Sequence, residues 1–322
     1  MINPPLKIIL DEDKIKKSLN VKNVIKIVEE GFRKKGLGLV SLLPKKGPDL
    51  RTPGAFVDSM PVSVFDYPVS GIAQPHLQTF GIKWITAFRG NIKKKIPYIN
   101  SLIILNDPIT GMPLAIFRGN WITAIRTAAV SAVTAKYLAP KKKQITIGIF
   151  GTGLQAYVHV LAFKALYKNP KFILFNHSEK SLKKFLTKFK NEKFQVESDF
   201  HKVVKSSDVI ISATTFTSEI TPYIYEKDLK DDVLILPLDY GCRVDPNLYK
   251  KLDEVYTDDI PQYKVKSENK TFFPKQRPKI KNEVGDLVVR RIIRSEKPKK
   301  ILVFNLGIAL FDILTALSMI KK

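Results

Sequence analysis

Residues 151–156, "GTGLQA", follow the apolar run "QITIGIF" and open an apolar helical pattern, "LQAYVHVLAFKALYK". Glycine there serves two purposes: a tight turn at Gly151 and close approach of an anion to the backbone at Gly153. Ala156 supplies the third small position, where helix meets strand. The pattern predicts a pyrophosphate cradle for a dinucleotide; the plainer alternative is a strand–helix turn that needs positive φ. The next apolar run ends in "FNHSE". A ribose-binding acid is expected near that strand end, but Asn176 and His177 stand there, with Glu179 late. Loss of the acid removes repulsion of a 2′-phosphate, so NAD and NADP both stay open. Asp239 follows the run "VLILPL", at the strand end where an open α/β sheet places ligand groups. Cys242 lies beside it with no histidine to activate it, so no thiol nucleophile is expected. His76, His159, His177 and His201 lie far apart without metal-ligand spacing, so no metal centre is expected.

These groups need elements to hold them, and the pattern changes near residue 127. Upstream, "NVIKIVEEGFRKKG" has helical spacing and a terminal glycine, followed by strand-like runs "GIKWITAF", "SLIILND" and "PLAIFRG". That is an α+β layout of hairpins or meanders. Downstream, strands and helices alternate through "KFILFN", "SDVIISAT", "DVLILPL" and "DEVYT", as in a doubly wound, mostly parallel sheet. Residues 261–281 have no period and read as a long mobile loop, a candidate lid.

At 322 residues, with 44% hydrophobic and 26% charged residues, the chain is expected to form two globular domains. A net charge of +24 from 54 basic and 30 acidic residues raises the question of nucleic acid. Only ten of the basic residues are arginines, the type favoured for base readout, and the lysines are scattered in short runs. A solvated basic surface is expected, attractive to anionic cofactors or substrates. No apolar run approaches the ~20 residues of a membrane span. The first residues do not read as a signal peptide, and the lone cysteine fits a reducing compartment. The expectation is a cytoplasmic protein.

"NDPITGMPLAIFRGNWITAIRTAAVSAVTAKYLA", taken with "GIFGTGLQA", resembles the ornithine cyclodeaminase/μ-crystallin family, which includes archaeal alanine dehydrogenases and ketimine reductases. The shared features are the D-x-x-T-G-x-P-L-A run, the R-T-A-A helix start and the G-x-G-x-Q-A turn. "GIKW" at 81–84, "MP" at 60–61, "LDYGCRVDP" at 238–246 and "GIALFD" at 307–312 fall in family order. The resemblance implies an α/β protein: a Rossmann NAD(P)-binding domain over 128–299, and an α+β substrate-binding and dimerisation domain from 1–127 and 300–322. It implies a homodimer and an NAD(P)-dependent oxidoreductase of a small α-amino or α-imino acid. Lys83 and Asp239 would be catalytic, and Lys45, Lys83 and Arg126 would bind substrate. Either Lys45 or the adjacent Lys46 takes that place in the family register. The implied cofactor contacts are Arg126, Thr127, Gly151, Thr152, Gly153, Leu154, Gln155, Asn176, His177, Thr214, Arg243 and Asn305. An arginine at a helix start opposes the helix dipole, which itself suggests an anion near Arg126.

The chain departs from the family pattern on the substrate side. Leu238 and Tyr240 replace smaller neighbours of Asp239, Arg243 stands for a lysine and Asn305 for a serine. Tyr98 stands where a threonine is common, and Asp58 precedes "MP" where an arginine is usual. The expectation is an intact cofactor site beside an altered substrate pocket. Two alternatives accompany it: an ornithine cyclodeaminase that recycles its NAD, and a non-enzymatic NAD(P)H-binding protein.

Overall fold

The computed structural model describes residues 6–52, 54–67, 76–217, 219–268 and 277–320. The chain divides into two compact units, Met1–Arg126 with Ile308–Lys322, and Thr127–Gly307.

In the first unit, β1 (Lys7–Ile9) is followed by α1 (Glu12–Ser18) and α2 (Val21–Gly36). Then come β2 (Val40–Leu42), β3 (Ala55–Phe65), β4 (Leu77–Phe88), β5 (Ile99–Asn106) and β6 (Pro113–Arg118). They form a six-stranded sheet in the order β1-β6-β5-β4-β3-β2. The strands β2 to β6 form an antiparallel meander, and β1 joins β6 in parallel. The strand-like runs of the sequence appear as β4, β5 and β6. Side chains alternate across this sheet. Met60, Val62, Ile85, Ile103, Leu105 and Phe117 are buried on one face, whereas Trp84 and Leu102 are exposed on the other. Phe32 of α2 packs on Phe311 with ring centroids 4.6 Å apart. Each such buried side chain contributes roughly 1.5–3 kcal/mol.

The chain leaves this unit within α3 (Asn120–Leu138). Arg126 therefore sits in the second turn of the helix rather than at its start, because the helix begins at Asn120. The expected opposition between Arg126 and the helix dipole is thus corrected: the dipole effect fades within the first turn.

In the second unit, β7 (Thr146–Phe150), α4 (Leu154–Leu166), β8 (Lys171–Phe175), α5 (Glu179–Leu186), β9 (Phe194–Val196), α6 (Phe200–Ser206) and β10 (Val209–Ser212) come first. They are followed by β11 (Val233–Pro237), β12 (Glu254–Thr257), α7 (Ile260–Glu268), β13 (Asn282–Glu283), α8 (Val284–Arg290) and β14 (Lys300–Phe304). The sheet order is β13-β12-β14-β11-β10-β7-β8-β9, with every recorded pairing parallel. β10 and β11 are buried along their whole length, as expected of strands covered on both faces. The order reverses between β7 and β10, the topological switch point of a doubly wound fold.

Two expectations change here. Residues 300–307, expected with the first domain, belong to the second, because β14 fills the gap between β11 and β12. The apolar run "ILVF" is a central strand, and only the helix beyond it returns. That helix, α9 (Ala309–Leu317), packs on α2 and on β3, β4 and β5 of the first unit. Part of 261–281, expected as an irregular loop, is helical, since α7 spans Ile260–Glu268. Pro261 lies in the first turn, where its missing N–H costs nothing, and Asp259 accepts the Gln262 N–H at 2.8 Å. Residues 269–276 of the expected loop lie outside the described residues.

Candidate active site

Lys83 lies on the buried face of β4 and is fully buried among apolar neighbours. An unpaired ammonium there would cost several kcal/mol, and the pairing comes from α9. Lys83 Nζ donates to Asp312 Oδ1 at 2.9 Å, and Arg126 Nε stands 3.0 Å from Oδ2 of the same carboxylate. Thr123 Oγ1 also donates to Asp312 Oδ1, at 3.2 Å. Gly81 lets the helix come this close: a Cβ there would stand 2.2 Å from the Ile104 carbonyl oxygen and 3.0 Å from Ile313 Cδ1. Burial pushes Lys83 down to about 7; Asp312 opposes this, while Arg126 and Lys45 add to it. Burial would raise the Asp312 carboxyl, but Arg126 and Lys83 outweigh it and hold Asp312 below its ordinary value. Lys45 is buried and Lys46 is exposed, which places Lys45 on the inner side of its segment.

In the second unit, Asp239 follows β11 in a turn where Tyr240 and Gly241 adopt φ of 56° and 80°. A left-handed non-glycine residue costs roughly 1–3 kcal/mol and persists only where its surroundings enforce it. The Cys242 N–H closes the turn on the Asp239 carbonyl at 3.2 Å. Asp239 is buried. Its Oδ2 accepts from the hydroxyls of Ser212 and, at 2.8 Å, Thr214, while its Oδ1 is buried without a partner. Arg243 Nε donates to Thr214 Oγ1 at 3.1 Å. Burial pushes Asp239 up to about 6, and the Ser212 and Thr214 hydroxyls and Arg243 limit the rise. A carboxyl poised there, with one oxygen free, can give or take a proton near neutral pH.

The glycine turn stands at the switch point of the same sheet. Gly151 has φ +96°, and a Cβ on it would meet the Ala213 carbonyl oxygen at 2.7 Å, whereas a Cβ on Gly153 would meet nothing within 4 Å. Gly153 caps α4 with no side-chain hydrogen bond, leaving the first N–H groups of that helix for an anion. Gln155 Oε1 and Asn305 Oδ1 are buried without partners. Open space at Gly153, free donors and orphan acceptors fit a bound dinucleotide. Asn176 Nδ2 donates to Thr152 Oγ1 at 2.9 Å, so the end of β8 is tied to the glycine turn. His177 Nε2 meets the Tyr223 hydroxyl at 2.7 Å, and Arg243 lies over the Tyr223 ring at 5.0 Å from its centroid.

The residues singled out from the sequence thus gather by unit. Lys83, Arg126 and Lys45 interact electrostatically in the first. In the second, Asp239, Thr214 and Arg243 form one hydrogen-bonded group, and Gly151, Thr152 and Asn176 surround the turn. Asn305 donates to Thr134 Oγ1 at 3.1 Å, in a loop held by Asp258, which accepts from the Leu306 and Gly307 N–H groups. Leu154, half exposed, opens α4, and Thr127 follows Arg126 within α3. Three residues escaped the sequence reading: Ser212, Thr123 and Asp312. For Asp312 a signal existed, as the acid of "GIALFD" and the only charged residue of the helix α9.

The description "Ornithine cyclodeaminase/mu-crystallin family" belongs to the family model that matches residues 6–322. A nodulation efficiency protein of Rhizobium meliloti is 26% identical over 294 residues, 90% of this chain and 87% of that one. An alanine dehydrogenase of Archaeoglobus fulgidus is 29% identical over 64% of this chain and 60% of its own, so the match spans less than two thirds of that enzyme. The fold is that of the Δ1-pyrroline-2-carboxylate reductase of Thermococcus litoralis, solved with NADH and L-proline. Its TM-score is 0.80 at 23% identity, over 98% of this chain and 96% of that one.

Proposed function

We propose, since the chain belongs to the ornithine cyclodeaminase/mu-crystallin family, that it is an NAD(P)-dependent oxidoreductase of a small α-amino or α-imino acid. The alanine dehydrogenase and ketimine reductase types are the nearest chemistry. The observation that carries this reading is Asp239: a buried carboxyl with one free oxygen, following a strand of the sheet that bears the glycine turn.

The nicotinamide, when bound, would give or take the hydride at the substrate α-carbon. Gly151, Gly153 and the first N–H groups of α4 would hold the pyrophosphate. Asn176, His177 and Thr152 would face the adenosine ribose. With a neutral amide in place of the expected acid, no carboxylate there repels a 2′-phosphate, so the site leaves the choice between NAD(H) and NADP(H) open. Thr214, Arg243 and Asn305 would contact the nicotinamide half. Lys83 and Arg126, with Lys45, would bind the substrate carboxylate, a job suited to a buried group with excess positive charge. Asp239 would deliver a proton at Oδ1 to the substrate nitrogen in reduction and remove it in oxidation.

The outer face of the first sheet supports the homodimer that the resemblance implies. Ile82, Ile104, Ile116 and Ile8 are register partners in one row across β4, β5, β6 and β1, and Trp84 pairs with Leu102 in the next. A second copy of the chain is the occupant proposed for this apolar face. No helix among the described residues is long and apolar enough to cross a membrane. The direct test is nicotinamide absorbance with 2-oxo acids plus ammonium, cyclic imines and L-amino acids. Steady cofactor turnover supports the reading, and binding of NAD(P)H without any turnover removes it.

A further inference from the structure

We infer that Asp312 is the positioning residue of the substrate-carboxylate pair, a fixed counter-charge that holds the Lys83 ammonium and the Arg126 guanidinium together for an incoming anion. The inference rests on the oxidoreductase reading above. It deepens that reading by assigning a residue that neither the motif nor the spacing had placed.

Oδ1 of Asp312 accepts hydrogen bonds from Lys83 and Thr123, and Oδ2 forms an ion pair with Arg126 Nε at 3.0 Å without hydrogen-bond geometry. The three partners come from two elements, β4 and α3, and Asp312 itself comes from a third, α9. Ser101 Oγ, on β5, lies 3.3 Å from Thr123 Oγ1 and extends the buried network. A fully buried carboxylate held between two cations stays ionised and is unsuited to be a proton shuttle, but it ties Lys83 and Arg126 to one side chain. The ion pairs also explain how α9, otherwise apolar, tolerates an acid in its first turn.

The charges acting on Lys83 do not cancel. Asp312 faces it from α9, Arg126 from α3 and Lys45 from the segment before β3. Asp58 is a further buried acid on β3, two residues from Met60, the register partner of Lys83. Asp312 is the group that keeps the ammonium charged against burial and two like charges. Without it, Lys83 would lose its proton at lower pH and the carboxylate would lose a cationic partner. Burial of two cations without their shared counter-ion would also loosen the pair.

The test compares wild type with Asp312→Asn and Asp312→Glu. The Lys83 side chain is titrated by NMR of lysine-labelled protein, its signal assigned by Lys83→Arg, alongside kcat and KM against pH. The expected result for Asp312→Asn is a Lys83 midpoint lower by about one pH unit or more. The alkaline limb of kcat/KM should move down with it, KM for the substrate should rise more than kcat falls, and Asp312→Glu should restore part of each. An unmoved Lys83 midpoint overturns the assignment. If the asparagine variant does not fold, the carboxyl carbon of Asp312 in the wild type supplies the reading. An inflection at the Lys83 midpoint supports the pairing, and its absence overturns it. A wild type that turns over no amino or imino acid sinks the oxidoreductase reading, while the Lys83 midpoint still decides the role of Asp312.

Discussion

The Thr214 hydroxyl donates to Oδ2 of Asp239 at 2.8 Å, and Oδ1 of that carboxylate is buried with no partner. One oxygen is anchored and the other is free for chemistry. Asp239→Asn keeps the size and can keep the anchoring bonds, but cannot carry a proton. Its kcat should fall by roughly 10²–10⁴-fold with the thermal midpoint and NAD(P)H affinity little changed. In amino-acid oxidation Asp239 must be ionised, so kcat/KM should rise through pH about 6 and fall as Lys83 loses its charge near 7. The variant should lose the acidic limb, and full activity in Asp239→Asn removes the acid/base role.

The two glycines of the turn should separate folding from binding. Gly151→Ala meets both a positive φ and the Ala213 carbonyl, and should cost about 1–3 kcal/mol of stability. Gly153→Ala has open space and should leave the thermal midpoint nearly unchanged. It should nonetheless weaken NAD(P)H about tenfold or more, because its methyl takes the place of the pyrophosphate. Undiminished cofactor affinity in Gly153→Ala, measured by calorimetry, would move the phosphate site elsewhere.

His159 on α4 is fully buried, between the Gln155 carbonyl oxygen and Ser131 Oγ. Burial pulls it down to about 4 from an ordinary 6.5, against the Gln155 hydrogen bond. The folded state therefore holds the neutral ring, and its stability contribution is intact above the unfolded value and is lost as pH falls toward 4. Between about pH 7 and pH 5 this amounts to about 2 kcal/mol. Urea unfolding at the two pH values should show that loss in wild type and a smaller one in His159→Gln. Equal losses would place the acid sensitivity in other groups.

Trp84 is 44% exposed beside Leu102 at 42% on the outer sheet face. If a second copy covers this face, Trp84→Glu should convert a dimer to a monomer in sedimentation, with unchanged circular dichroism. A variant that sediments as a dimer would locate the interface elsewhere.

Much of the fold was legible because its signals are local. The largely apolar runs of β7, β10 and β11 alternate with helices, and "GTGLQA" sits at the turn between β7 and α4. Other elements were hidden by non-local causes. The resemblance puts residues 300–304 with the first domain, but a strand's place in a sheet is set by which neighbours leave a gap, here β11 and β12. The start of 261–281 has no helical period, yet α7 forms over Ile260–Glu268, because a helix accepts Pro261 in its first turn. Lys83 and Arg126 were marked from motif, yet the acid that joins them lies 229 residues from Lys83 in sequence. No periodicity reports such a pairing, and only the lone charge in "GIALFD" hinted at it.

The central claim is hydride exchange between a nicotinamide and the α-carbon of a small imino acid. The most direct measurement supplies NADH and NADPH carrying deuterium at the transferable position to purified protein with a cyclic imine or a 2-oxo acid and ammonium. Mass spectrometry then reads the amino-acid product. The account predicts substrate-dependent cofactor oxidation with one deuterium delivered to the α-carbon, slowed roughly 10²–10⁴-fold in Asp239→Asn. A protein that binds the cofactor tightly but never moves the deuterium would contradict it.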